Sequence, residues 1–454
     1  MNPIFLAACL SFAGAPASDE PLARYRLTPG RVLTWQSDNC LKFGKGEVKN
    51  EQRDSTRFTA SVVRANPNGS VRVLICAECR YFGNSGGKPM EETTRTHIAY
   101  ADLFPDGRFE PNTTTESREP VTAILPRLPK DENEARNGWK TRMDEIEVSS
   151  KALGSNWFEA SSSGQSGGAA LVPFTYKKTY SFDTTKGLVT LAEHRSTTSA
   201  VPNGESSGRT TLIGDTNLTP EALASLAADI ERYVAAEQQY EAVSGSAWKS
   251  APAIAKATLA KAGRDLESAG ANIVRPELKK AIQEKMTKHE SVSHLYVTQA
   301  ENWAKRSGKS VPALKATDLQ GKPIDLAELR GKVVVIDFWY RGCGWCIKAM
   351  PQVKQVAVDF AHQPVAVLGV SVDPTDQDAL VVTQGLNLPY PTVRIRPELL
   401  EPFGIQGMPA LLIIDKSGLV RDMHLGYSAT LRESVAQIVN ELLKEPAPDT
   451  KKLP

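Results

Sequence analysis

Two cysteines three residues apart, Cys343 and Cys346, lie in Gly342-Cys343-Gly344-Trp345-Cys346. Thiols at this spacing can exchange disulfides if one helical turn brings both sulfurs within bridging reach; on a strand they would point to opposite faces. The flanking sequence predicts the helical turn. Val333 to Trp339 (VVVIDFW) is a short, nearly all-apolar, β-branched run, which reads as a central strand buried on both faces. After the cysteines a helical pattern runs through Met350, Val353, Val356 and Phe360. Cys343 is therefore expected at a helix N-terminus and Cys346 in the first turn. Unpaired N–H groups and the helix dipole favour a thiolate there, and such motifs lower a thiol pKa from ~8.5 to ~3.5–7. Cys343 should attack a substrate disulfide and Cys346 should resolve the mixed disulfide. Asp337 sits inside the apolar strand with no Lys or Arg nearby in sequence. Burial should raise its pKa and suit it to take the Cys346 proton.

Three further features make this region resemble the thioredoxin superfamily, most of all its exported TlpA-like and redoxin branch. Asp337-Phe338-Trp339 matches the strand whose buried acid precedes the first cysteine. Pro351 matches the proline that kinks the active-site helix. Gly404-Ile405-Gln406-Gly407-Met408-Pro409, followed by Ala410 to Asp415 as a strand, matches the cis-proline loop. Gly321 to Leu326 and Leu329 to Lys332 look like the approach strand and loop of the TlpA-like branch. The resemblance runs from about Val311 to Leu443, under a third of the chain. It implies that Pro409 is cis and lies against the redox pair, and that the Met408 backbone pairs with an extended substrate. It likewise puts Trp339, Trp345, Met408 and Pro409 at the substrate-binding surface. No cofactor is implied, because the chemistry belongs to the cysteines.

The departures from the family pattern also matter. Gly342 stands where thioredoxins usually have Trp, and Trp345 where many relatives carry Pro. Ala349 replaces the TlpA-like acid three residues after the second cysteine, which leaves Asp337 for that role. The redoxin name also covers peroxiredoxins. Their Pro-x-x-x-Thr-x-x-Cys is missing, with Tyr340 in the Thr place, so peroxidase activity is not implied.

Four more cysteines remain: Cys9, Cys40, Cys76 and Cys79. Cys76 and Cys79 sit in a strand-like run, where residues three apart face opposite sides about 10 Å apart. A disulfide needs Cα atoms within ~7 Å, so the two should not bridge each other. A structural disulfide from Cys40 to one of them is the expected use. A second redox centre, or a metal site with His97, is the alternative. The histidines are scattered without zinc-ligand spacing, and no metal site is expected.

The 454 residues fit two or three domains. With 41% hydrophobic and 23% charged residues, ordinary globular cores can form; a net charge of +2 gives no field for nucleic acid. No run is long enough for a transmembrane helix. Ile4 to Ala17 reads as a secretory signal, which predicts an exported protein in the periplasm or cell envelope; Leu6-Ala7-Ala8-Cys9 also resembles a lipobox that would anchor the chain at Cys9.

The predicted architecture is α+β and multidomain. A β-rich domain at 25–218, a sandwich or half-barrel, contains runs at Arg72–Tyr81, Phe174–Phe182 and Gly187–Glu193, with turn signals at Asn66–Gly69, Pro105–Gly107 and Asn203-Gly204. Ser161 to Gly168 reads as a flexible loop. The motifs of this domain identify no family, and its size and half-barrel-like pattern allow a lipid-, lipoprotein- or partner-binding role. A helical connector follows at 219–306, opened by Thr219-Pro220-Glu221. The thioredoxin-like α/β/α domain spans 307–444, and 445–454 is a disordered tail. The expected partners are protein thiols and disulfides and a membrane or periplasmic redox protein. The rival is a non-catalytic envelope binding or scaffold protein that docks partners on a thioredoxin fold.

Overall fold

The computed structural model describes residues 22–44, 50–111, 124–143, 146–154, 156–165, 173–199, 201 and 203–446. The signal-like segment, Cys9 and most of the expected tail lie outside them. The chain divides into two units, 1–164 with 174–227 and 165–173 with 228–454.

The first unit is built on one antiparallel sheet. Its strands are β1 (Arg31–Phe43), β2 (Asn50–Ala65), β3 (Val71–Ser85), β4 (Lys88–Pro89), β5 (Thr93–Leu103), β6 (Phe109–Pro111), β7 (Trp139–Met143), β8 (Ile146–Ala152), β9 (Trp157–Gln165), β10 (Pro173–Asp183), β11 (Leu188–Thr198) and β12 (Gly204–Asn217), with a short helix α1 (Glu132–Asn137) before β7. The order is β6-β5-β3-β2-β1-β12-β11-β10-β9-β8-β7, with β4 on β3. The described strands of this unit form one large antiparallel sheet, as the β-rich reading of 25–218 requires. Alternation places Leu33, Trp35, Phe58, Val62, Val73 and Ile75 in one apolar cluster with Phe158, Tyr180 and Phe182. At the β2–β3 turn Gly69 takes φ +81°, which only a residue without Cβ adopts freely. The expected loop at Ser161–Gly168 is corrected in part. Ser161 pairs with Ser149, so β9 continues to Gln165, and the rest of that stretch lies outside the described residues.

One row across the cluster's face is polar. Tyr81, Asp54, Asn39, Gly208, His194 and Lys178 stand in cross-strand register. A Cβ on Gly208 would fall 1.9 Å from Asn39 Oδ1 and 2.5 Å from His194 Cε1, so any other residue there displaces those two side chains. Burial pushes the Lys178 ammonium down to about 8.

The expected disulfide from Cys40 does not form. Cys40, on β1, faces Arg53 of β2; Cys76 and Cys79, on β3, face Thr59 and Thr56 of β2. β2 therefore separates the partners by two strand spacings, about 10 Å, with a further offset of three or six residues along the strands, beyond the reach of a disulfide. The Cys40 thiol instead donates to Glu51 Oε1 at 3.3 Å.

The second unit holds most of the helix α2 (Pro220–Ala247), then α3 (Pro252–Ala271), α4 (Pro276–Arg306) and a five-stranded sheet. Thr219 Oγ1 caps α2 by accepting from Ala222 N at 3.2 Å, as the Thr-Pro-Glu start predicts. Past the short hairpin β13 (Lys315–Thr317) and β14 (Pro323–Asp325) come β15 (Val333–Trp339), α5 (Gly344–Asp359), β16 (Val365–Ser371), α6 (Asp376–Gly385), β17 (Thr392–Arg394), β18 (Ala410–Ile414), β19 (Val420–Leu425) and α7 (Leu431–Lys444). The sheet order is β17-β16-β15-β18-β19; β15 runs parallel to β16 and antiparallel to β18.

All seven residues of β15 are buried, so its apolar run serves both faces. Val333 and Val335 pack with Val353 and Val356 of α5 and Val435 and Val439 of α7. Val334, Ile336 and Phe338 face the other way, into a cluster that includes Trp248, Ala255, Ala300 and Trp303. The helices read as a connector thus share the core of this sheet. Trp248 and Trp303 meet edge to face at 5.9 Å, and Lys249 pairs with Asp422 at 2.5 Å. Truncating Trp303 to Ala is expected to destabilise the full chain by about 3–5 kcal/mol in urea unfolding. A mere spacer helix would lose under ~0.5 kcal/mol.

Candidate active site

The C-terminal ends of β15 and β16 place the redox loop. Val372 N donates to the Trp339 carbonyl at 3.0 Å, which carries the parallel pairing one residue past the end of β16. Asp373, just beyond, is buried; it accepts from Arg341 N at 2.9 Å and from the Ser371 hydroxyl at 2.8 Å. The backbone two residues before Cys343 is thereby fixed. Cys343 then becomes the N-cap of α5, and its Sγ accepts from Cys346 N at 3.1 Å. The two cysteines form a disulfide with Cα atoms 5.2 Å apart. Cys343 keeps 6% of its surface exposed and Cys346 only 1%. Cys343 is thus the sulfur at the positive helix end and the one nearer solvent, as strand–turn–helix requires.

Asp337 is buried at 2% exposure, two residues before the end of β15. Its strand neighbours are Gly369 and Leu411, neither charged. Burial pushes its carboxyl up to about 7, and a hydrogen bond from the Tyr390 hydroxyl to Oδ2, at 3.3 Å, pulls the other way. Tyr390 lies 53 residues along the chain from Asp337, so no local signal could have found it.

The four residues expected at the substrate surface divide. Trp345 is 59% exposed and stacks on Tyr427 at 5.5 Å, with Lys348 Nζ 5.3 Å from the Trp345 ring centre and 5.2 Å from that of Tyr427. Met408 is half-buried, Pro409 is buried, and the bond between them is cis. Trp339 needs correction. It is fully buried and packs with Cys343, Cys346, Ile347, Ala379 and Val382, so it walls the redox pair from within. Its place in β15, buried on both faces, excludes it from the surface. Tyr427 and Lys348 complete the stack; Tyr427 lies 82 residues from Trp345, beyond the reach of any local sequence signal.

The Gly342 departure has a steric counterpart. Tyr340 is 42% exposed, and a Cβ on residue 342 would fall 2.9 Å from its ring. The Tyr340 ring occupies the space in front of the redox loop that a side chain at 342 would need. Ala349 is buried in α5, so it brings no acid to the site.

The AhpC/TSA family matches residues 307–423. Similar curated proteins include the thiol-disulfide oxidoreductase ResA of Bacillus thuringiensis (strain Al Hakam), 29% identical over 26% of this chain and 69% of that protein. ResA of Halalkalibacterium halodurans is 25% identical over 31% of this chain and 80% of its own length. Among solved structures, the thioredoxin domain of a thiol-disulfide oxidoreductase from Bacteroides vulgatus is 28% identical, with a TM-score of 0.28, over 30% of this chain and 98% of that one. A thiol:disulfide interchange protein of the thioredoxin family from Chlorobium tepidum is 25% identical, with a TM-score of 0.28, over 30% and 97%. The strand, cysteine pair and cis-proline loop lie within the residues that the AhpC/TSA family matches. The C-terminal part of this chain therefore belongs to the thioredoxin superfamily, in its redoxin and TlpA-like branch, and is a thioredoxin-like thiol–disulfide oxidoreductase.

Proposed function

We propose that the chain is an exported oxidoreductase that exchanges disulfides with protein substrates through Cys343-Gly344-Trp345-Cys346. The observation that carries this reading is the placement of Cys343 as the cap of α5, with the Asp337 carboxyl buried in the strand that precedes it. In the reduced protein the Cys343 thiolate attacks one sulfur of a substrate disulfide and releases the other as a thiolate. Cys346 then gives its proton to Asp337 and attacks the Cys343 sulfur. The mixed disulfide breaks, the second substrate thiolate leaves, and the Cys343–Cys346 disulfide forms. Run backwards, the same steps oxidise a dithiol. Trp345, Met408 and Pro409 would contact the substrate chain beside the disulfide. Export rests on the signal-like Ile4–Ala17.

Cys346→Ser is the test, because it removes resolution and leaves attack intact. The variant is expected to accumulate mixed disulfides with envelope proteins that reductant releases, and the Cys343→Ser, Cys346→Ser double variant is expected to trap none. A Cys346→Ser protein that accumulates none would support the non-catalytic docking alternative. Recovery of the chain from the cytoplasm with Met1 retained would remove the export claim.

A further inference from the structure

We propose that Tyr390 is a positioning residue for the proton transfer: its hydroxyl, 3.3 Å from Asp337 Oδ2, holds the buried carboxyl in place of a charged partner. The proposal rests on the reading above that Asp337 accepts the Cys346 proton. Tyr390 is itself buried, at 7% exposure, in the segment between α6 and β17. Its backbone is held on both sides. Leu388 N donates to the Thr383 carbonyl at 2.9 Å, and Gly369 N donates to the Pro391 carbonyl at 2.9 Å. Gly369 is the residue directly opposite Asp337 in the β15–β16 pairing. The Tyr390 ring is therefore anchored to the strand beside the acid and reaches its oxygen from a fixed direction.

Other ionisable groups around Asp337 belong to known partners or lie apart. On α5 these are Cys343 and Cys346, now in a disulfide; Lys348 over the Trp345 and Tyr427 rings; and Lys354, which donates to the Leu386 carbonyl. Beyond β16, Asp373 holds the Arg341 backbone, and on α6 Asp378 pairs with the Arg341 side chain. On β19, His424 is separated from Asp337 by Leu411. On α7 the buried residues Leu431, Val435, Val439 and Leu442 carry no charge. Among the described residues, the Tyr390 hydroxyl is the hydrogen-bond donor that reaches the acid.

The physical logic lies in the strength of that donor. A lysine or arginine would hold the carboxylate ionised and make it a poor base. A fully apolar surround would keep it protonated and unable to accept. Burial pushes the Tyr390 phenol well above its ordinary range, so the hydroxyl stays neutral and donates to the ionised acid without cancelling its charge. A neutral hydrogen bond of this kind favours the carboxylate by roughly tenfold in proton affinity.

Tyr390→Phe tests this in the full chain, with two separate readouts. In the reduced protein, the Asp337 carboxyl followed by carbon NMR should titrate with its midpoint moved up by about tenfold in proton affinity. In stopped-flow, resolution should slow by about fivefold at pH 7 and rejoin wild type near pH 9, with the first attack unchanged. If the variant fails to fold, 3-fluorotyrosine at position 390, a stronger donor, should move the midpoint the other way. An unmoved Asp337 midpoint in either protein overturns the proposal, as does a uniform slowing at every pH with that midpoint unmoved. If the NMR midpoint moves while the pH profile of resolution does not, Asp337 is not the base, and the role assigned to Tyr390 falls with it. If the protein exchanges no disulfides at all, the NMR titration still reports the Tyr390–Asp337 bond independently.

Discussion

Asp337→Asn is expected to slow resolution of the mixed disulfide by about 10²–10⁴-fold and to leave the initial attack by Cys343 nearly unchanged. The amide keeps the shape of the carboxyl and can still accept from Tyr390, but it cannot take a proton. Wild-type resolution should rise with pH through a midpoint near 7, where the buried carboxyl ionises, and the variant should lose that rise. Stability should change in the opposite sense to rate. The folded state holds the Asp337 proton more tightly than the unfolded chain, whose carboxyl titrates near ~3.9. The stabilisation from that proton is full below about pH 4 and is lost as pH rises through about 7. Asn carries no such dependence. Its advantage in urea unfolding should therefore be absent at pH 4, grow between pH 4 and 7, and level off above. The ceiling set by the shift is about 4 kcal/mol. A buried amide left short of partners costs ~1–3 kcal/mol, so a net gain of about 1–3 kcal/mol at pH 8 is the expected result. Wild-type resolution across pH 6–8 would show that another group takes the proton. A stability gain larger at pH 4 than at pH 8 would show that the acid is charged in the folded state.

Cys343 in the reduced protein is expected to react with iodoacetamide at pH 7 at least ~30-fold faster than Cys346. Several effects contribute. A thiol at a helix N-terminus is held more as thiolate at pH 7 than an ordinary cysteine, because the N–H groups and the helix dipole favour its charged form. Lower basicity returns part of that gain in nucleophilicity. The remainder comes from Cys346, which is 1% exposed, in the first turn of α5, and packed with Trp339, Ile347 and Met350. Burial disfavours its thiolate and restricts approach. Mass spectrometry of partially alkylated protein separates the two sites. Equal rates, with no thiolate absorbance below pH 8, would remove the nucleophile assignment from Cys343.

The redox domain of this protein was legible because its determinants are local. Val333 to Trp339 is apolar at every position but one, and only a strand buried on both faces accommodates that run. The cysteines follow it at a spacing that only a helical turn brings together. The position of Asp337 follows from the same run, since a residue inside such a strand has nowhere to reach water. The helix starts at Pro220, Pro252 and Pro276 were likewise readable, because a proline in the first turn is a local signal.

Tertiary structure decided what depends on residues distant in sequence. Tyr390 meets Asp337 only because β17 pairs beside β16, and Tyr427 meets Trp345 across 82 residues. Trp248 and Trp303 belong to the thioredoxin-like core because Phe338 and Phe403 present an apolar face that helices can cover; an amphipathic pattern shows that a helix buries a face, not against what. Strand register settled the cysteines of the first unit. Each sits in a run that predicts a strand, yet only the pairing order shows that β2 lies between Cys40 and the other two. Alternation along a strand determines which side chains share a face, whereas which strands are neighbours depends on turns and packing spread over the whole sheet.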